Sequence, residues 1–163
     1  MQVEKPRVVQ ARPEHGARID ELEAVAFAFD PAGRRRVEQV RENEPAIVLV
    51  ATIGARDVCG TVTASTFWHG RSLNVWILAL AVDPRFRRRG VARRLLRALL
   101  RCGRALGATR FRLRVPVEDR AAIDLYEACG FARLLTVEDA GAPGRRSHLM
   151  VRRSHERRRR PPP

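Results

Sequence analysis

The sequence predicts a mixed α/β fold: a mostly antiparallel sheet with one central parallel strand pair, flanked by helices. Two observations carry this. Residues 73–82 are apolar on both faces, as in a strand buried between layers, and are followed by an amphipathic helix and then the alternating strand TRFRLRV at 109–115. A strand, a helix and a second strand in that order imply a parallel pair joined by a right-handed crossover. Ahead of that unit, β-branched stretches at 46–53 and 58–67 are joined by the short turn 54–57, so they pair antiparallel, as the remaining strands do most economically.

Each element has its own warrant. Residues 8–11 read as a first strand, closed by a turn at Arg12-Pro13-Glu14-His15-Gly16. Over 19–29 apolar residues recur at helical spacing: Ile19, Leu22, Ala24, Val25, Ala26 and Phe29. Asp30-Pro31 ends that helix and caps a charged one over 32–42. The turn at 68–71 leads into the central strand 73–82. In the helix over 90–106, Val91, Leu95, Leu99, Cys102 and Leu106 form the apolar stripe, opposite Arg93, Arg97, Arg101 and Arg104. Asp119 caps a helix over 119–129, which Gly130 ends. Strands at 131–137 and 147–152, with a Gly/Pro loop between them, complete a single domain over 1–153. The basic tail 154–163 ends in three prolines and is expected to be disordered.

Composition narrows the function. The 163 residues carry 45% hydrophobic side chains, enough for one packed core. No apolar run approaches the roughly 20 residues of a membrane span, and no signal core opens the chain, so a cytoplasmic location is expected. Cys59, Cys102 and Cys129 stand singly among apolar neighbours, which argues against a disulfide frame and against a metal site. The net charge is +14, almost entirely from arginine, since Lys5 is the only lysine. Aromatic residues are few and are not interleaved with the basic ones, which argues against nucleic acid as the main partner.

The chemistry concentrates after the central strand. Gly90 opens a helix, and Arg85, Arg87, Arg88 and Arg89 crowd the turn before it. The first amides of a helix lack internal partners and lie at the positive end of its dipole, so this loop reads as an anion site, with a phosphate-bearing ligand the first candidate.

Two motifs resemble those of the GCN5-related N-acetyltransferases. Arg87-Arg88-Arg89-Gly90-Val91-Ala92, after Leu80-Ala81-Val82-Asp83-Pro84, matches the family's Gln/Arg-x-x-Gly-x-Gly/Ala loop following a strand that ends Val-x-Pro. The stretch from Asp119 to Phe131 matches its Asn-x-x-Ala-x-x-Leu-Tyr-x-x-x-Gly-Phe helix. The strand order fits from about Val8 to Arg152. The resemblance implies acetyl-CoA as co-substrate, no metal, and transfer to an amine of a small molecule or peptide. It places the pyrophosphate on amides between Arg88 and Arg93, and the pantetheine arm along Leu80, Ala81 and Val82, where the central strand bulges and splays from its parallel neighbour. It makes Tyr126, the only tyrosine, the acid that protonates the departing thiolate, and it allows a homodimer.

Three residues depart from the pattern. Asp119 stands for the usual asparagine; it caps a helix equally well but has no amide to offer the cofactor. Trp76 and Arg114 fill the two positions where many members carry a glutamate base, and neither accepts a proton at neutral pH. Glu118, Asp119, His69, an ordered water or an acceptor that arrives neutral remain as routes for the amine proton. Trp76 is assigned to the acceptor pocket. Arg114, with Arg112 on the same strand face, is assigned to an acidic group of the acceptor, or else to an intramolecular carboxylate. A module that binds acyl-CoA without turnover is the competing reading.

Overall fold

The computed structural model describes residues 5–28, 30–54, 57–139 and 143–154. Its elements are β1 (Arg7–Gln10), α1 (Gly16–Ala26), α2 (Pro31–Asn43), β2 (Ala46–Ile53), β3 (Asp57–His69), β4 (Ser72–Val82), α3 (Val91–Ala105), β5 (Ala108–Pro116), α4 (Arg120–Ala128), β6 (Ala132–Glu138) and β7 (Arg146–Arg153). Single 3-10 turns at Pro13–His15 and Pro84–Phe86 stand where the sequence reads as plain turns. Except for Ser154, the basic tail lies outside the described residues.

One seven-stranded sheet runs β1-β2-β3-β4-β5-β7-β6. Every neighbouring pair is antiparallel except β4 and β5. The expected parallel pair is therefore central, and α3 is the segment between its strands.

Two irregularities in β4 shape the molecule. Against β3 the register slips between Thr63 and Ala64, whose partners are Ala79 and Ile77, leaving Leu78 as an extra residue. That is a β-bulge, which bends a strand and interrupts its ladder. Against β5, pairing runs only from Leu73 with Ala108 to Ile77 with Leu113. Past the bulge the two strands part, so the β5-facing edge of β4 from Leu78 to Val82 has no strand beside it.

The main core lies between the sheet and α3 and α4. Leu95, Leu96, Leu99 and Leu100 are fully buried against Val75, Ile77, Phe111, Leu113 and Met150. Burying side chains of this size stabilises by about 1.5–3 kcal/mol each. The stripe of α3 sits differently from the expected one: Leu106 lies beyond the helix and is exposed, and Cys102 is only half-buried. Gly103 faces the sheet instead, because the Phe111 ring fills the space where its Cβ would lie, 2.5 Å from Phe111 Cε1. On the opposite face α1 packs Ile19 and Leu22 over Val50, Val58 and Ala81.

Candidate active site

At the end of β4 the chain turns through Asp83 and Pro84 into the arginine loop and then α3. Gly90 has φ +74°, a left-handed conformation that glycine adopts without penalty. Arg88 has φ +61°, the one non-glycine among the described residues with positive φ. A non-glycine held there costs of order 1 kcal/mol and tends to mark a functional loop. Left-handed residues of this kind occur in turns whose amides form anion-binding nests. Among the described residues, none of the amides from Arg88 to Arg93 meets an acceptor, and the first helical bond is Arg94 N–H to the Gly90 carbonyl, 3.0 Å. Amides free in this way fit a pyrophosphate, as the motif implies.

The arginines of the loop divide the work. The Arg87 Nε donates to the Val82 carbonyl at 3.3 Å. The Arg89 and Arg85 guanidinium groups lie 5.6 and 5.7 Å from the Phe86 ring centroid, within cation–π range. Arg85 also grips Asp83, with Nη2 2.8 Å from Oδ2 and its backbone amide 2.9 Å from Oδ1. Arg88 forms no side-chain bond among the described residues and projects from the loop, exposed.

Leu80, Ala81 and Val82 occupy the part of β4 that has lost β5. Leu80 and Val82 pack on the main core, and Ala81 under α1. Val91 and Ala92 form the first turn of α3, with Arg93 exposed beside them. Close approach of this turn to the sheet depends on Gly60 in β3. A Cβ there would meet the Ala81 carbonyl and the Val91 and Leu95 methyls at 3.0–3.1 Å.

The second motif forms α4. Asp119 caps it, its Oδ1 accepting from the Ala122 amide at 3.1 Å. Gly130, at φ +87°, ends it, and the amides of Cys129 and Phe131 both bond to the Tyr126 carbonyl. The Tyr126 ring is 8% exposed and meets Phe131 edge to face at 5.9 Å. Burial raises the phenol pKa well above the ordinary tyrosine value, and the nearby Asp119 and Cys129 add to the shift. Tyr126 is thus held in its neutral, protonated form.

Trp76 is half-buried on the face covered by α1 and α2, in register with Ser65 on β3 and Arg112 on β5. Arg114 is not a free cation: its Nη2 is 2.7 Å from Asp139 Oδ1, and Asp139 also accepts from the Ser147 hydroxyl at 3.1 Å. His69 ends β3 opposite Ser72, six residues before the bulge in β4 and so about 20 Å from it at 3.3 Å per residue. His69 therefore stands at the far end of β4 from Leu80, Ala81 and Val82. Glu118 and Asp119, in contrast, adjoin the N-terminus of α4.

Three residues matter here that no motif marks. Asp83 is buried and holds both Arg85 and Arg18 of α1. Those bonds press its carboxyl far below the usual range. Glu23 of α1 is 1% exposed, accepts from Thr63 Oγ1 at 3.0 Å, and has Oε2 3.5 Å from Arg41 Nη2. Its position four residues after Ile19, on the apolar stripe, was the visible signal. Gly60, the third, had none. Among the described residues no cluster of three or more histidine, cysteine, aspartate or glutamate side chains is placed to hold a metal.

Comparison with known proteins agrees with this geometry. A comparison with curated protein sequences finds no match. Arabidopsis thaliana NAA60 in complex with acetyl-CoA superposes with a TM-score of 0.78 at 18% identity, over 91% of this chain and 98% of that one. Ard1 from Thermoplasma volcanium gives 0.75 at 24%, over 91% and 97%. The ribosomal-protein-S18-alanine N-acetyltransferase from Escherichia coli gives 0.72 at 21%, over 90% and 92%. These likenesses establish the fold. The family model described as acetyltransferase (GNAT) family matches residues 16–131, most of the chain including both motifs, and the chain belongs to that family of acetyl-CoA-dependent N-acetyltransferases.

Proposed function

We propose that the chain moves the acetyl group of acetyl-CoA to a primary amine of a small molecule or peptide by direct attack of the amine. The observation that carries this is the parting of β4 and β5 after Ile77 and Leu113, directly below a loop of unpartnered amides. The edge from Leu80 to Val82 offers backbone groups to an extended arm as a further strand would. The loop residues Arg87, Arg88, Arg89, Gly90, Val91, Ala92 and Arg93 receive the pyrophosphate, mostly through backbone amides, and Asp119, at the head of α4, contributes to the same cofactor site. Acetyl-CoA supplies the thioester, and the enzyme supplies alignment and proton handling.

Tyr126 gives its proton to the departing thiolate. Its raised pKa supports this role by keeping the proton in place across the physiological range. On the acceptor side, Trp76 forms a wall, and Arg114 binds an acceptor carboxylate in competition with Asp139. The amine proton leaves through Glu118, Asp119 or water. A peptide α-amine fits the kinship in shape to NAA60, to the NatC complex bound to Gag peptide and CoA, and to Naa50 in complex with the bisubstrate analogue CoA-Ac-MVNAL. All three cysteines are free, and no described helix is long and apolar enough to cross a membrane; we place the reaction in the cytoplasm.

The competing reading, acyl-CoA binding without turnover, draws on Trp76 and Arg114 standing where bases are common. Incubating the protein with acetyl-CoA and a panel of amines and short peptides, while following free thiol, decides between them. Thiol release that depends on an amine supports transfer. Tight acetyl-CoA binding with no release across the panel supports the binding module.

A further inference from the structure

We infer a second anion site, separate from the acetyl-CoA loop, in the cavity between the C-terminal halves of α3 and α4 and the end of β7. The cavity has a volume of about 510 Å³ and is lined by Arg97, Arg101 and Arg104 of α3, by Arg152 of β7, and by Cys129 and Gly130 at the end of α4. No acidic residue lines it. Arg97, Arg101 and Arg104 stand at i, i+4 and i+7, so one face of α3 presents all three. Arg101 lies eleven residues beyond Gly90, roughly 16 Å along the helix from the pyrophosphate loop.

Two of the four cations are anchored and two are not. The Arg104 Nε donates to the Leu100 carbonyl at 3.1 Å, and Arg152 Nη1 donates to the Cys129 carbonyl. Arg152 lies over Gly130, where a Cβ would come within 3.3 Å of Nη1, so this glycine both ends α4 and admits the guanidinium. Arg97 and Arg101 have no hydrogen bond or ion pair among the described residues. Of the two carboxylates within α4, Glu127 is spent on Arg133 at 2.9 Å, and Asp124, four residues before the lining residue Ala128, does not itself line the cavity. Four cations around one concavity repel one another, and an anion bound among them removes that repulsion.

The number and type of the cations indicate the ligand. Four guanidinium groups match three to four negative charges, and their planar forks suit phosphate oxygens. The concave shape suits a compact group better than an extended chain. The ligand class is a small anion dense in phosphate, of the diphosphate or triphosphate kind.

The test is calorimetric titration of inorganic pyrophosphate into the full chain already saturated with coenzyme A, at fixed ionic strength in a phosphate-free buffer. Saturable binding near one equivalent is expected, weakened at least tenfold by Arg101→Ala/Arg104→Ala. A charge-matched control, Arg35→Ala/Arg71→Ala, on exposed residues of α2 and the β3–β4 turn, should bind as the parent does. All four positions are exposed, and circular dichroism of each variant confirms its fold. Four outcomes overturn the proposal: no saturable binding, loss of binding when coenzyme A is present, equal weakening in the control, or no effect of the Arg101/Arg104 substitutions. A fifth does so too: single-stranded oligonucleotides bind with affinity that rises with length while pyrophosphate does not saturate. That result would make the face a track for a nucleic-acid backbone.

Discussion

Asp83, the residue that leaves β4 for the arginine loop, is ion-paired with Arg18 of α1, 65 positions earlier in the chain. The same carboxylate holds Arg85 at 2.8 Å and the Arg85 amide at 2.9 Å. One buried acid therefore joins α1, on one face of the sheet, to the arginine loop that opens α3. Arg18 is further fixed by the Val58 carbonyl at 3.4 Å and by Glu21 at 2.6 Å. Arg85, one of four arginines that crowd the loop sequence, is thus mainly a brace for the turn.

Replacing Asp83 by asparagine should destabilise the fold by roughly 2–3 kcal/mol, the scale of a hydrogen bond to a charged partner plus the cost of a poorly matched guanidinium. Acetyl-CoA binding should weaken as the loop loosens. Since the folded carboxyl is held well below its usual range, its stabilisation is present above the unfolded pKa, near 4, and is lost as pH falls below that. The gap in melting temperature between the parent and Asp83→Asn, followed from pH 2 to 7, should be constant above about pH 5 and shrink steadily below pH 4. A constant gap would refute the pairing.

Glu23 should show the opposite slope. Burial raises its pKa from 4.5, with Arg41 and the Thr63 bond pulling the other way. The folded chain then holds the proton more tightly than the unfolded chain, so the stability Glu23 lends is fullest below about pH 4.5 and declines as pH rises through the raised value. Glu23→Gln should abolish that decline while keeping an acceptor for Thr63. Chemical denaturation at several pH values measures both slopes, and parallel curves would sink the idea.

Tyr126→Phe should leave the fold and the acetyl-CoA affinity nearly intact, because the edge-to-face contact with Phe131 survives. It should lower kcat by about 10²–10³-fold, the scale of general acid catalysis. In the parent, the raised phenol pKa keeps Tyr126 from imposing an alkaline limb on kcat below about pH 10, where an ordinary tyrosine would begin to ionise. A pH–rate profile of each form tests this.

Gly90→Val should cost about 1–2 kcal/mol of stability through its left-handed backbone alone, since nothing lies within 4 Å of the position a Cβ would take. Acetyl-CoA affinity should fall about tenfold or more, as the amides swing from the nest. Calorimetry with coenzyme A, beside a melting curve, separates the two effects.

Arg114→Ala should raise the acceptor KM most for carboxylate-bearing acceptors and little for neutral ones. Asp139→Asn, which releases Arg114, should lower it for the same acceptors. An acceptor series that responds equally with and without a carboxylate counts against the assignment.

Much of this molecule was legible in its sequence. The strand alternation, the helix stripe and the caps Asp30, Asp119 and Gly130 are local signals, and the structure places each within a few residues of where it was read. The two motifs fall on the loop that opens α3 and on α4, and each could be read because it occupies one continuous stretch of chain. What the tertiary structure alone decided are relations between distant segments: the residues at which the expected bulge and splay fall, Leu78 and Ile77, the Arg18–Asp83 bridge, the burial of Glu23 against Thr63, and Asp139 as the carboxylate that takes Arg114. No single stretch encodes these. A buried charge is tolerated only where a partner arrives from elsewhere in the chain, and a strand parts from its neighbour only where packing on both sides bends it away.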